Sequence, residues 1–267
     1  VAADLDAGAQ PRELPGLFEV KGVKVGVPIC EDIWGAGPCA ALRGEGAEML
    51  IVPNGSPYRR TAEDERMAVA RARVAETGLP MVYVNQVGGQ DELVFDGGSF
   101  VLQADGAIAA SLPRFEDAIG ISEWTRTSDG WRCAEGEKAA WLNGPGEVYQ
   151  AMVLGLRDYV NKSGFPGVLL GLSGGVDSAI TAVVAADALG PDRVHCFMLP
   201  SRYTSKESLE DAEACAKING IRLDEIGIAP AVDAFAQMLT PHYQNKPADL
   251  TEENIQARIR GLSLMAL

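Results

Sequence analysis

The sequence is poor in histidine and in basic residues, and it has no long hydrophobic run. Only two histidines occur, and the five cysteines are widely and irregularly spaced without a CxxC pair, which fits neither a zinc site nor a disulfide framework. No apolar stretch approaches the roughly 20 residues needed to cross a bilayer, and the N-terminal residues lack the basic and apolar regions of a signal peptide. These absences predict a globular protein of the cytoplasm without a membrane segment.

The charge balance argues against two classes of partner. The chain carries 23 Lys plus Arg against 37 Asp plus Glu, a net charge of -14. Such an excess of acid disfavours a broad electrostatic surface for nucleic acid or for an anionic membrane, although local basic groups can still bind phosphates. With 267 residues and 47% hydrophobic content, the chain is long enough for one large domain or two ordinary ones.

The first half of the sequence predicts a sheet with one clear helix. Short apolar runs bounded by turn residues are typical of strands, and two further segments separated by ADG predict a hairpin. The helix begins near Thr61, which forms a capping-box pattern with Asp64, and it ends at Gly78. The predicted strands lie at residues 23–29, 49–53 and 81–85, and the hairpin lies at residues 99–112.

The second half predicts a different arrangement. Residues 126–146 are rich in Gly, Ser and charge and have little periodicity, so we expect a connector between a first domain at 1–125 and a second at 147–267. Strands and helices alternate after residue 147, which predicts a parallel sheet covered on both faces. The fold class is therefore α/β.

A glycine-rich loop, GLSGGVDSA, follows an apolar strand and opens a helix in the second domain. Its two adjacent glycines allow the backbone to approach a phosphate, its serine hydroxyls can donate to phosphate oxygens, and the helix N-terminus adds positive partial charge. The alternative is a strand-to-helix turn in which Ser and Gly serve only as caps. We expect ATP binding by Gly171, Leu172, Ser173, Gly174, Gly175, Val176, Asp177 and Ser178.

The loop departs from the usual phosphate-loop pattern at one position. Val176 and Asp177 stand where Gly and Lys are expected in GxxxxGK[ST]. A carboxylate beside phosphates is repulsive unless a cation lies between them, so Asp177 predicts a Mg²⁺ ligand.

The motif SGGVDS is similar to the signature of the ATP pyrophosphatases. The resemblance implies attack on the α-phosphate of ATP, adenylation of a carboxyl or carbonyl oxygen, and release of pyrophosphate. That chemistry explains the missing lysine, because the loop holds pyrophosphate as a leaving group. The family includes NAD, GMP and asparagine synthetases, and the loop alone does not choose among them.

The segment TEENIQARIRG helps to choose among the members of this family. Its i, i+4 spacing puts Asn254 and Arg258 on one helical face, with Gln256 and Arg260 on another, which by itself fits an ordinary capped amphipathic helix. However, ENIQAR and the stretch from Met198 to Ile221 resemble the NAD synthetases. The resemblance implies that Asn254 and Arg258 contact deamido-NAD.

A second candidate site surrounds VPICEDIW. Cys30 follows a strand of alternating apolar residues, where a sharp turn exposes a nucleophile at the sheet edge. Taken alone, a cysteine beside a strand is more often a small buried hydrophobe. His195 and His242 both lie far away in the second domain, which disfavours a Cys/His dyad.

The context of Cys30 resembles the carbon-nitrogen hydrolases of the nitrilase superfamily, through GVPICEDIW, LIVPNGSPY and MVYVNQVGGQDELVFDGGSF. The resemblance is closest to the glutaminase domains of glutamine-hydrolysing NAD synthetases. It implies that Cys30 attacks the glutamine amide, supported by a Glu and a Lys expected before residue 1, and that Ser56 contacts glutamine. Where the family has a basic residue this chain has Ala62, which leaves Arg59 or Arg60 as substitutes.

Together the motifs predict the C-terminal part of a nitrilase-like α-β-β-α sandwich, followed by the N-terminal part of a doubly wound, Rossmann-like ATP pyrophosphatase domain. The expected whole is the middle of a longer, homo-oligomeric member of the glutamine-hydrolysing NAD synthetase family, with ATP and Mg²⁺ as cofactors and glutamine and deamido-NAD as substrates. Two alternatives remain open: another ATP pyrophosphatase amidotransferase, or a nucleotide-binding module without catalysis.

Overall fold

The computed structural model describes residues 16–243 and 250–267 and contains two compact units, Val1–Ala151 and Met152–Leu267. The division falls inside one long helix, α3 (Pro145–Lys162). In the described parts of the chain, no helix is both long enough and apolar enough to span a bilayer.

The first unit is built on a six-stranded sheet with the order β1-β2-β3-β4-β7-β8. Strands β2, β3 and β4 run parallel to one another, whereas β1, β7 and β8 each pair antiparallel with a neighbour. The sheet strands are β1 (Gly16–Val20), β2 (Val23–Val27), β3 (Met49–Asn54), β4 (Met81–Asn85), β7 (Phe100–Leu102) and β8 (Ile108–Ser111). The remaining elements are α1 (Ala36–Gly44), α2 (Ala62–Thr77) and the hairpins β5 (Val87–Gln90) with β6 (Leu93–Asp96) and β9 (Trp124–Thr127) with β10 (Gly130–Cys133).

The core of the first unit joins one face of this sheet to the two helices. Leu50 and Val52 of β3 alternate along the strand and are fully buried, beside Met81 of β4 and Val74 of α2. Burial of one such side chain contributes about 1.5–3 kcal/mol. The packing fixes the parallel strands side by side, so the loops at their carboxyl ends emerge together at one edge.

Helix α2 ends as predicted but begins differently. Gly78 adopts a left-handed conformation, with φ of +65°, and caps the C-terminus. Thr61 precedes the helix, but its hydroxyl donates to Glu65 Oε1 at 2.8 Å and does not cap a backbone N–H. The predicted capping box with Asp64 was therefore wrong, because a nearby carboxylate competes for the threonine hydroxyl.

The second unit contains a three-stranded parallel sheet, with helices packed on both of its faces as predicted. Val194 and Cys196 pack towards Ala182 and Ala212, whereas Phe197 packs on the other face with Ile259. The strands are β11 (Val168–Gly171), β12 (Val194–Met198) and β13 (Arg222–Glu225), in that order. The helices after α3 are α4 (Val176–Leu189), α5 (Lys206–Ile218), α6 (Ala229–Tyr243) and α7 (Leu250–Ala266).

The interval expected to be an irregular connector, residues 126–146, contains regular structure. The hairpin β9–β10 extends to Cys133, which is buried. Gln103 donates to the carbonyl of Cys133 at 2.7 Å and accepts from its N–H at 3.1 Å, so the hairpin is tied to the sheet of the first unit. Its strands are too short to produce a clear period in the sequence. The domain limits 1–125 and 147–267 stay a prediction.

Candidate functional site

Cys30 lies at a sharp turn beyond the carboxyl end of β2. It begins a short 3₁₀ helix, Cys30–Ile33, and its φ of +47° is in the left-handed region that non-glycine residues rarely adopt. The turn is held by Asp32, whose N–H donates to the carbonyl of Ile29 at 3.0 Å and whose Oδ2 accepts from the N–H of Ile29 at 2.9 Å. Such a strained turn is the backbone geometry predicted for an exposed nucleophile.

Cys30 is partly exposed and lines a cavity of about 710 Å³. Cys39 and Cys196, by contrast, are completely buried, and burial raises the pKa of each thiol to about 11. The alternative reading of Cys30 as a small buried hydrophobe does not fit this placement. The cavity is lined by Cys30, Glu31, Trp34, Gly35, Gly55, Ser56, Pro57 and Arg59.

Ser56 lines the same cavity as Cys30, and its contact with glutamine stays a prediction. It follows β3, and its N–H donates to Oδ1 of Asn85, the last residue of β4, at 3.1 Å. Its side chain also interacts with the hydroxyl of Tyr83, whose pKa is raised by burial to about 12, so the phenol stays protonated at neutral pH. The ends of two adjacent parallel strands thus hold the serine.

Of the basic residues proposed to replace the family's cation, Arg59 lines the cavity and Arg60 does not. The side chain of Arg59 is 58% exposed, and its guanidinium pairs with Glu65 at 2.8 Å. Ala62 is buried at 1% exposure, so the position aligned with the family's basic residue faces the core of this protein.

A buried ion network, which the sequence did not predict, lies next to this cavity. Asp96 is 1% exposed and accepts hydrogen bonds from Arg66 and from Arg114. Arg114 also donates to Glu63 at 2.9 Å and to Glu147 at 2.7 Å. The one sequence signal of this network was Arg66, which lies on the buried side of α2, where an amphipathic helix normally has an apolar residue.

We predict that Asp96→Ala lowers the free energy of unfolding of the first unit by about 3–5 kcal/mol, because two buried guanidinium groups lose their shared carboxylate. All four tryptophans of the chain, Trp34, Trp124, Trp131 and Trp141, lie in this unit, so their fluorescence during urea denaturation reports on it alone. Glu135→Ala is the control, since it removes an exposed pair with Lys138 and should change stability little. Equal stability of the two variants would contradict this account of the network.

In the second unit, the loop from Gly171 to Ser178 joins the end of β11 to the start of α4. Gly174 has a φ of +82°, and a Cβ built on it would lie 2.1 Å from the carbonyl oxygen of Ser208. The hydroxyls of Ser173 and Ser178 are 3.0 Å apart, and Ser178 Oγ donates to the carbonyl of Gly175 at 2.9 Å. The loop is a tight turn over the helix N-terminus, which is the geometry of an anion-binding site.

A cavity of about 570 Å³ lies against this loop. Arg260 reaches it from α7, and its Nε donates to the carbonyl of Leu199 at 3.1 Å. The helical spacing puts Arg260 on the other face of its helix from Arg258, as predicted, but no local pattern in the sequence indicates a role for it. The lining residues are Gly171, Leu172, Ser173, Phe197, Met198, Leu199, Pro200, Tyr203, Thr204, Ser205, Ser208, Leu209, Arg260 and Leu264.

Asn254 and Arg258 line a different cavity, of about 350 Å³, between α6 and α7. Its other walls are largely apolar and include Phe235 and Leu262. The two residues do share a helical face, as predicted, but they are not among the residues around the glycine loop. Their contact with deamido-NAD stays a prediction.

Asp177 lies exposed in the first turn of α4, beside the two loop serines. Across residues 16–243 and 250–267, no group of three or more His, Cys, Asp or Glu side chains is arranged to hold a metal ion. Mg²⁺ is commonly bound by one or two carboxylates together with substrate phosphates. The single carboxylate therefore fits a magnesium ion that binds with a nucleotide, and does not fit an all-protein metal site.

Two protein families match separate parts of the chain. The carbon-nitrogen hydrolase family matches residues 9–131, and the NAD synthase family matches residues 148–267. The chain is 52% identical over 248 residues to a glutamine-dependent NAD(+) synthetase of Rhodobacter capsulatus, covering 92% of this chain and 44% of that protein. It is 38% identical over 290 residues to a protein of the same name from Thermotoga maritima, and the match covers 97% of this chain and 50% of that protein.

A solved structure has the same fold over nearly the whole chain. The glutamine-dependent NAD+ synthetase of Acinetobacter baumannii, in complex with ADP, superposes with a TM-score of 0.89 at 43% identity, covering 96% of this chain and 48% of that one. The chain spans about half the length of the relatives it matches. Over nearly its whole length the chain is therefore similar to glutamine-dependent NAD(+) synthetases, with the carbon-nitrogen hydrolase match in its first part and the NAD synthase match in its second.

Proposed function

We propose that this chain takes part in the ATP-dependent amidation of deamido-NAD to NAD, with glutamine as the source of ammonia. One observation carries the proposal: a single chain combines a reachable cysteine at a strained turn with a glycine loop that closes over a helix N-terminus. The first arrangement suits release of ammonia from an amide, and the second suits activation of a carboxylate by ATP. The names of the relatives support the pairing.

In the first unit, the sulfur of Cys30 attacks the side-chain amide carbon of glutamine as the thiol gives up its proton. Transfer of that proton to the amide nitrogen lets the tetrahedral intermediate expel ammonia and leaves a glutamyl thioester, which water hydrolyses to glutamate and free thiol. Ser56 and Arg59 line the same cavity, so a hydroxyl and a cation are available to bind the amino-acid part of glutamine. Arg59 suits the α-carboxylate, because a guanidinium pairs with a carboxylate in a bidentate manner.

In the second unit, the loop residues Ser173, Gly174, Gly175 and Ser178 hold the phosphates of ATP through hydroxyl and backbone N–H donors. The nicotinate carboxylate of deamido-NAD attacks the α-phosphorus, forms an adenylate and releases pyrophosphate. Ammonia then attacks the activated carbonyl, and AMP leaves. Asp177 would hold Mg²⁺, which would neutralise charge on the phosphates. Asn254 and Arg258 are the proposed contacts of deamido-NAD.

The acceptor is tested by ATP–pyrophosphate exchange in the protein as its gene encodes it. Deamido-NAD is expected to support exchange of labelled pyrophosphate into ATP, because adenylate formation is reversible. Xanthosine monophosphate and aspartate represent the other ATP pyrophosphatase amidotransferases and are expected to support none. If only one of those two compounds drove exchange, the proposed acceptor would be wrong.

We further expect the protein in the cytoplasm and as a homo-oligomer, and the two expectations rest on different grounds. All five cysteines are free thiols, as is usual in a reducing compartment. Assembly is expected from the resemblance alone and is checked by light scattering of the purified protein.

A further inference from the structure

Helix α2 carries two buried arginines that bond to two different segments beside the Cys30 cavity, the loop after β3 and the turn that contains Cys30. Arg66 and Arg73 are 6% and 8% exposed and lie seven residues apart, which places them on the same side of the helix. Neither side chain lines the cavity itself. Arg66 contacts the Ser56 hydroxyl and two backbone carbonyls, and Arg73 contacts one backbone carbonyl.

Arg66 holds the loop after β3 through all three nitrogens of its guanidinium. Its Nε donates to Ser56 Oγ at 3.0 Å, and its Nη2 donates to the carbonyls of Ser56 at 2.7 Å and Pro57 at 3.0 Å. Its Nη1 donates to both carboxylate oxygens of Asp96, at 2.9 and 3.0 Å. All three nitrogens of the guanidinium therefore have hydrogen-bond partners. The position of the Ser56 hydroxyl is therefore set by a planar group that cannot rotate without losing several hydrogen bonds.

Arg73 bonds to the short helix that begins at Cys30. Its Nη1 donates at 3.2 Å to the carbonyl of Ile33, and its Nη2 pairs with Glu76 at 2.6 Å. Ile33 ends the short helix that Cys30 begins, and it is 1% exposed. The anchored carbonyl thus fixes the far end of the turn that presents the thiol.

Stability alone does not account for these two residues. Removing a guanidinium from water has a large desolvation penalty, and well-packed apolar side chains in place of buried ion pairs are often neutral or stabilising. A binding site, by contrast, needs its groups held to within about 0.5 Å by a supporting shell. Two arginines on one helix, each bonded to a separate cavity loop, meet that requirement.

We propose that Arg66 and Arg73 are positioning residues for the Cys30 site, and that α2 thereby sets the separation between the thiol and the Ser56 hydroxyl. The inference rests on the proposed glutaminase function. Arg66 acts on the residue that contacts bound glutamine, so its loss weakens substrate binding. Arg73 acts on the turn of the nucleophile, so its loss slows the chemical step.

The test compares Arg66→Lys, Arg73→Lys and the control Arg71→Lys in the protein as its gene encodes it. Arg71 is an exposed arginine of the same helix that donates to the carbonyl of Gly106 at 3.2 Å, away from the cavity. Glutamine hydrolysis gives kcat and KM, and NAD formation from ammonium chloride reports on the rest of the protein. Arg66→Lys is expected to raise KM for glutamine about tenfold with kcat nearly unchanged. Arg73→Lys is expected to lower kcat about tenfold with KM nearly unchanged.

All three variants should keep wild-type amidation from ammonium chloride, and Arg71→Lys should match the wild type throughout. A double-mutant cycle of Arg66→Lys with Ser56→Ala adds a readout that general destabilisation does not reproduce. The two changes are expected to be non-additive in KM, because both act through the same hydroxyl. Additive effects, or unchanged kcat and KM in both lysine variants, overturn the inference. Absence of Cys30-dependent glutamine hydrolysis in the wild type overturns the proposed function, and this inference with it.

Discussion

Cys30→Ala is expected to abolish NAD formation from glutamine while leaving NAD formation from ammonium chloride at the wild-type rate. The thiol is the group that forms the covalent intermediate, and removal of a nucleophile reduces turnover by about 10⁴-fold or more. Free ammonia replaces the product of the first unit, so the second unit no longer depends on the thiol. Glutamate release and NAD formation, measured in the same samples, separate the two activities.

The matched control is Cys215→Ala. Cys215 is also a partly exposed thiol, but it lies on α5 of the second unit and is not among the residues lining the Cys30 cavity. Its removal is expected to leave both nitrogen sources usable. Glutamine hydrolysis that survives in Cys30→Ala would exclude Cys30 as the nucleophile. A wild-type protein that binds ATP but hydrolyses no glutamine would favour the alternative of a nucleotide-binding module.

Gly174→Ala is expected to abolish NAD formation from either nitrogen source, while glutamine hydrolysis continues. The added Cβ would lie 2.1 Å from the carbonyl oxygen of Ser208, a backbone atom that cannot move aside without shifting the start of α5. The positive φ of +82° adds backbone strain of about 1–2 kcal/mol. Because the loop must fit closely around phosphates, we expect ATP–pyrophosphate exchange to fall about 100-fold or more.

Gly164→Ala separates the steric clash from the backbone strain. Gly164 also has a positive φ, of +73°, but a Cβ on it meets no atom within 4 Å. We expect this variant to lose some stability and to retain ATP–pyrophosphate exchange. Equal loss of exchange in the two alanine variants would indicate that strain, and not contact with Ser208, determines the effect at Gly174. Circular dichroism of both proteins checks that the second unit is folded.

The sequence predicted the features of this protein that local patterns encode. The alternating run before Cys30 predicted a strand and a turn, and the glycine loop predicted a strand followed by a helix N-terminus; both are present. In each case neighbouring residues provide the signal, because a period of two or a pair of glycines acts within a few positions.

The supporting contacts were not predicted, because they join residues that are distant in the chain. Arg66 meets Asp96 across 30 positions, and Arg73 meets Ile33 across 40. In a single sequence, a charged residue on a predicted helix is ordinarily assigned to the solvent face. Arg260 was missed for a related reason, since only the folded sheet reveals that its side chain reaches the carbonyl after β12.

The left-handed backbone at Cys30 implies a conflict between the stability of the fold and the reactivity of the side chain at this position. Its φ of +47° is one that glycine adopts freely and a residue with a Cβ adopts at a penalty of about 1–2 kcal/mol. A glycine would make the fold more stable and remove the thiol, so selection for stability alone would eliminate the nucleophile. Cys30, the proposed nucleophile, thus leaves the first unit less stable than a glycine at the same position would.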